Sequence, residues 1–246
     1  MNVAEQVIKE YVNQLEKKFG GDTKYKKYLA EMNKIKLKVI TEDDVRRVIQ
    51  PFLYDWGGMD RVLGKKEFRN WQTNIVRPIK SSSEKLEDFK KRNLGDVKLG
   101  ELEPGIKCCY ESLCKVIGGI AAAKVLHLIC PSFFPLWDNP IANAIRNEDV
   151  QVVELYPTDY GRQRYGSTID DFAKFLERKG ERKLKKWSHE YYRFMQATQN
   201  FIKRYEAILS ELATKYQKGI LRISDECFWW AATHRPLYLF FEGDCG

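Results

Sequence analysis

The sequence predicts an all-α protein. Apolar residues recur at helical spacing along most of its 246 residues, and glycine pairs and capping residues punctuate those runs. One segment, 120–129, is apolar on nearly every side and belongs at the centre of a fold.

Val3, Val7, Ile8, Tyr11 and Leu15 set a first helix over about 3–19, ended by Gly20 and Gly21. A short basic helix over 24–33 carries Tyr25, Tyr28 and Leu29. The stretch TEDD then makes a capping box: the Thr41 hydroxyl and the Asp44 carboxylate each reach the other's backbone N–H, with acids at the positive end of the dipole. Val45, Val48, Ile49, Phe52 and Leu53 form the buried stripe of that helix. Pro51 is placed to kink it and Gly57-Gly58 to break it. A helix over 65–75 follows with Phe68, Trp71 and Ile75, then a loop-like serine run that turns into a short charged helix.

GDVKLGELEPG, residues 95–105, is rich in turn formers and marks a boundary between two lobes, 1–100 and 101–246, of a single helical domain spanning 1–246. A helix over 106–116 is interrupted by Gly118-Gly119. The apolar helix after it has Lys124 and His127 as its polar members, and His127 reads as a core histidine bonded to a backbone carbonyl. Beyond Asp138 a helix is expected to about Arg146, with QVVELYP as a short strand or extended link. Thr168 and Asp171 cap a helix to about Lys179. Ser188 is expected to cap a long helix over 189–218, and Ser224 a last one that Pro236 bends or ends.

Composition is that of a folded chain, 43% hydrophobic and 31% charged. No window is long and apolar enough for a membrane span, and the first residues lack the apolar block of a secretory signal. No membrane association and a cytoplasmic location are therefore expected. The six cysteines include no C-x-x-C pair and His127 with Cys130 forms a lone H-x-x-C, so buried free thiols fit better than a metal site, and no cofactor is implied. The net charge of +8 favours a polyanionic partner.

VIGGIAAAKVLHLI followed by FPLWDNPIANAIR resembles the core of the helix-hairpin-helix DNA glycosylase superfamily. The likeness covers about residues 106–146. It implies an all-α, two-lobed fold with a central hairpin and a cleft between the lobes. In that family the hairpin amides hold the DNA backbone, an Asp before a helix assists base excision, and a Lys at the start of the second hairpin helix is the nucleophile of members that also cleave the strand. Asp138 and Ile141 fit the acid and the apolar position after it. Gly118 and Gly119 stand at the hairpin turn, with Ala121 where a second glycine would be, and Lys124 lies one residue beyond the lysine position.

Chemistry supports two roles for Asp138. Aspartate is a preferred N-cap, and Pro140 suits a first helical turn. A carboxylate there could also stabilise the positive charge that builds on a sugar as its base leaves. Lys124, among alanines and aliphatics, must reach solvent, pair with an acid or lose basicity, and in the last case can form a Schiff base. Between Lys174 and Trp187 stand seven basic and two acidic residues, and DYGRQRYG adds Arg162 and Arg164. Lys183, Lys185, Lys186, Trp187 and Arg193 suit phosphate contact and base stacking, DNA more than RNA, while a solvated helix face explains the same run without a partner. A non-catalytic nucleic-acid-binding module and a helical protein–protein adaptor remain as alternatives to a glycosylase.

Overall fold

The computed structural model describes residues 3–19, 22–138, 141 and 181–234. Among them every regular element is helical. The helix α1 (Val3–Phe19) and the basic helix α2 (Thr23–Asn33) lie where their periodicity puts them. The capping box of α3 (Glu42–Asp44) forms in full: Thr41 Oγ1 accepts from the Asp44 amide, and Asp44 Oδ2 accepts from the Thr41 amide at 3.0 Å. Such a cap stabilises by about 1 kcal/mol. α3 runs on into two wider π-type turns, Val45–Ile49 and Phe52–Trp56, on either side of Pro51. Pro51 therefore widens this helix rather than ending it, since a proline lacks the N–H of one backbone bond and local π turns re-pair the rest. All five residues of the expected stripe are buried.

Several expectations are corrected. The helix foreseen over 65–75 is a 3-10 turn, Lys66–Phe68, followed by α4's successor pieces: α4 is Asp60–Leu63, α5 Trp71–Asn74 and α6 Val76–Ser81, with Asn70 in the left-handed region. Asparagine tolerates that conformation, so it punctuates without a glycine. The serine run is helical at both ends, because α7 (Ser83–Phe89) follows α6 directly and Ser82 and Ser83 are buried. The turn-rich reading of 95–105 gives way to α8 (Leu99–Ile117), which begins inside that stretch and contains Pro104. A Cβ on Gly105 would lie 3.2 Å from Phe89, so this glycine serves close packing and not a turn. Lastly, neither Ser188 nor Ser224 is a cap. α10 (Glu181–Arg204) holds Ser188 in its interior, where its hydroxyl donates to Glu111 Oε1 on α8 at 2.5 Å. Ser224 lies inside α12 (Ile220–His234) and donates to the Ile220 carbonyl.

The long helix foreseen to residue 218 breaks at Tyr205 into α10 and α11 (Glu206–Tyr216). α9 (Gly119–Ile129) is buried at every residue, Lys124 and His127 included. It packs on α8, on α2 and on the turn Phe52–Trp56. α10 lies on α8, and α1 packs against both α11 and α12. One continuous cluster of buried side chains joins Ile8 and Val12 of α1 to Phe228 of α12. No described helix is long and apolar enough to cross a membrane.

Candidate active site

The link between α8 and α9 is Gly118 alone, at φ 78° and ψ 167°, a conformation open to glycine and little else. Both glycines of the pair are buried. A Cβ on Gly119 would stand 2.2 and 2.5 Å from ring carbons of Trp187 and 2.6 Å from the Tyr110 hydroxyl. Gly119 is thus the point where α8, α9 and α10 meet most closely. The indole of Trp187 covers the turn, leaving neither Gly118 nor Gly119 on the surface.

Five residues further on, Lys124 is 8% exposed. Its Nζ donates to the Gly57 carbonyl at 2.6 Å. That carbonyl lies at the C-terminal end of the turn Phe52–Trp56, where helical carbonyls lack partners and the dipole favours a cation. Burial lowers the Lys124 pKa from its ordinary value, and the charge of Asp138 works in the opposite direction. Asp138 is partly buried. Burial raises its pKa, while Lys124 and the Ile141 amide, 3.3 Å from Oδ1, pull it down. That amide bond, three residues on, is the capping role expected of Asp138. The rest of the helix expected to Arg146 lies outside the described residues.

The segment before Asp138 is held by three buried side chains from three helices. His127 Nδ1 of α9 donates to the Phe134 carbonyl at 2.8 Å, as expected of a core histidine. The Tyr191 hydroxyl of α10 donates to the Pro135 carbonyl at 3.0 Å. The Leu136 amide donates to Asp225 Oδ1 of α12, also at 3.0 Å. Trp137, 2% exposed, packs edge-on against Tyr191 and Phe194. Three successive backbone groups and a ring are fixed before the chain reaches the acid.

Behind this clamp lies a line of polar groups. The Tyr25 hydroxyl meets His127 Nε2 at 2.5 Å; in the neutral ring, whose Nδ1 donates to the Phe134 carbonyl, Nε2 accepts from that hydroxyl. Burial pushes the His127 pKa down to about 3. Asp225 Oδ2 makes no hydrogen bond to a described residue and stands 3.7 Å from His127 Nδ1. Burial, against the pull of Arg222 and the Leu136 amide, lifts the Asp225 pKa well above the carboxylate range, and Glu226 and Asp138 add to that. Arg222 lies over the rings of Tyr25 and Trp56, at 5.2 and 5.4 Å, and its guanidinium grips both oxygens of Asp22 at 2.7 and 3.1 Å. Lys218 pairs with Glu16, Asp22 and Glu226, which closes the network between the α1–α2 junction and α12.

Family models, curated proteins and solved structures were compared with the chain. None matches it. The likeness to helix-hairpin-helix glycosylases rests on the motif residues themselves.

Of the residues singled out in the sequence, Lys124 bonds the Gly57 carbonyl and Asp138 the Ile141 amide; no ion pair joins the two, though the charge of each favours the ionised form of the other. Lys185, Lys186, Trp187 and Arg193 share α10, where Lys185 is exposed and Lys186 stands 3.9 Å from Glu190. Lys183 lies on the same helix, but its side chain is outside the described set, as are Arg162 and Arg164 entirely. Sequence reading missed Asp225, Arg222 and Tyr191. A signal existed for Asp225: ISDECFWW places two adjacent acids against an aromatic run, where charge is expensive to bury. Among the described residues no group of three or more His, Cys, Asp or Glu could hold a metal, and Cys109, Cys114, Cys130 and Cys227 are buried free thiols.

Proposed function

We propose that this protein binds DNA and excises a base by Asp-assisted cleavage of the N-glycosidic bond, on a two-lobed helix-hairpin-helix fold in which α8, Gly118 and α9 form the hairpin. The observation that carries the reading is the pair of Lys124 and Asp138. Lys124 is buried in an apolar helix with its Nζ on the Gly57 carbonyl, and Asp138 stands partly open at the end of a segment clamped by His127, Tyr191 and Asp225. As the base departs with the bonding electrons, the sugar becomes a cation, and a fixed carboxylate beside it stabilises that charge without reorganising. Water then adds to the sugar carbon and gives its proton to Asp138, from which it passes to the departed base anion. Lys124 offers a second route, since burial favours the unprotonated amine that attack on the sugar carbon needs. Its bond to the Gly57 carbonyl must break first, so the hydrolytic route is the simpler one.

A second reading, a non-catalytic nucleic-acid-binding module of the same fold, draws on the cap bond of Asp138, which gives the carboxylate a structural role without catalysis. Duplexes carrying a panel of damaged bases separate the two. The excising reading expects release of one base type, reduced at least about 100-fold in Asp138→Asn with folding intact. Borohydride should trap a covalent adduct through Lys124 only if the amine route operates. Binding with no release on any lesion would favour the module, and activity surviving in Asp138→Asn would remove the acid from the mechanism.

A further inference from the structure

The polar face of α2 and the segment after it carry a patch that the candidate site does not use. Over residues 22–38 the inward positions are Tyr25, Met32, Ile35 and Leu37, all buried. Lys24, Lys26, Lys27, Lys34, Lys36 and Lys38 are all exposed. The two acids of this stretch are already engaged by other cations. Asp22 turns inward to Arg222 and Lys218, and Glu31 is held by Lys34 at 2.5 Å and by Arg47 at 3.0 Å. Lys24, Lys26, Lys27, Lys36 and Lys38 have no ion pair or hydrogen bond to a described side chain, so their charge faces solvent.

We infer that this lysine face of α2 and residues 34–38 is a docking surface for the phosphate backbone of a nucleic acid, which it holds without reading sequence. The inference rests on the nucleic-acid-binding reading above and names a surface for it. Three observations favour this partner. Flexible ammonium groups as the sole recognition chemistry suit evenly spaced point charges, and duplex DNA presents one about every 1.7 Å along its axis. Lys24, Lys26 and Lys27 stand in the first five residues of α2 and Lys36 and Lys38 beyond its last, so the two groups are set apart by roughly the helix length, about 16 Å, a span of several phosphates. A lipid surface would call for several apolar side chains to insert beside the cations, whereas a single large one is exposed there, Val39 next to Lys38. On its other side α2 packs against α9, with Tyr25 bonded to His127, so the patch rides on the helix layer that backs the candidate site.

The test is fluorescence anisotropy of the whole chain with a labelled 20-base-pair duplex and its single strand, over rising salt. It compares the wild type with a variant carrying K24Q, K26Q, K27Q, K36Q and K38Q, and with one carrying K185Q, K186Q and R193Q. All five substituted lysines of the first are exposed, and circular dichroism checks its fold. Each lost phosphate contact should lower the slope of log affinity against log salt by about 0.9, so the five-lysine variant should fall by about 3 or more, equally on unrelated sequences. Wild-type binding with an unchanged slope in that variant overturns this surface and leaves the nucleic-acid reading standing. No wild-type binding to duplex or strand overturns both. Loss confined to the α10 variant moves the surface to α10 and overturns this one. Phosphatidylserine vesicles form the last arm: lysine-dependent capture there, with nucleic-acid binding unchanged, would make the partner a lipid headgroup and overturn the inference.

Discussion

His127 and Asp225 sit 3.7 Å apart, and folding moves their protons in opposite directions. His127 has its pKa lowered to about 3, so its contribution to stability is complete above about 6.5 and is lost as pH falls from there toward 3. Asp225 has its pKa raised, so its contribution is complete below about 3.9 and is lost as pH rises from there. Just above about pH 4 the folded chain keeps the Asp225 proton and has released that of His127, so the two slopes oppose each other there. Asp225→Asn keeps an oxygen for the Leu136 amide and removes one of the two titrations. Urea midpoints from pH 4 upward should show that variant gaining on the wild type as pH rises, with a slope of at most about 1.4 kcal/mol per pH unit. A pH-independent difference would mean that Asp225 is ionised in its buried place. Replacing the ring by His127→Phe leaves the Phe134 carbonyl and the Tyr25 hydroxyl without partners, a loss of about 2–4 kcal/mol at pH 7 by urea titration.

Among the elements, α8, α9 and α10 are tied at Gly119. A methyl group there must displace Trp187 or the helix that carries it, so Gly119→Ala should destabilise by about 2–4 kcal/mol, more than a surface glycine exchange. Trp187→Ala makes room, and the double variant should be less destabilised than the sum of the two singles. Additive effects in thermal melts would show that the indole does not press on the glycine. Elements of this kind divide by how local their cause is. The first two helices, the Thr41 cap and the all-buried α9 follow from residues three or four apart, and periodicity finds them. Pro104, Gly105, Ser188 and Ser224 look like punctuation in a linear reading. Their roles depend on Phe89, Glu111 and a helix begun at Ile220, partners that spacing cannot supply. The candidate site divides in the same way. Lys124, His127 and Asp138 stood out as polar groups in apolar surroundings, whereas Asp225 and Tyr191 act on a segment more than 50 positions away.

At the scale of the whole molecule, the N-terminal helices and α12 are bound by charge as well as by apolar contact. Arg222 joins Asp22 and Glu226 and stacks on two rings. Removing one partner of a buried pair strands the others, so Arg222→Leu should cost about 3–5 kcal/mol in urea denaturation, far more than Arg92→Leu at its exposed pair with Asp88. Because a single apolar cluster runs from α1 to α12, far-ultraviolet dichroism and tryptophan fluorescence should report one coincident transition.

The hold on residues 134–136 has a consequence for the order of assembly. His127 arrives with α9, Tyr191 with α10 and Asp225 only with α12. As the chain is made, Asp138 is present long before the last of the groups that fix its approach. A chain cut short of Ile220 would carry the acid with one of its three backbone anchors missing. The approach to Asp138 is therefore complete only once α12 has docked, although the acid lies near the middle of the chain.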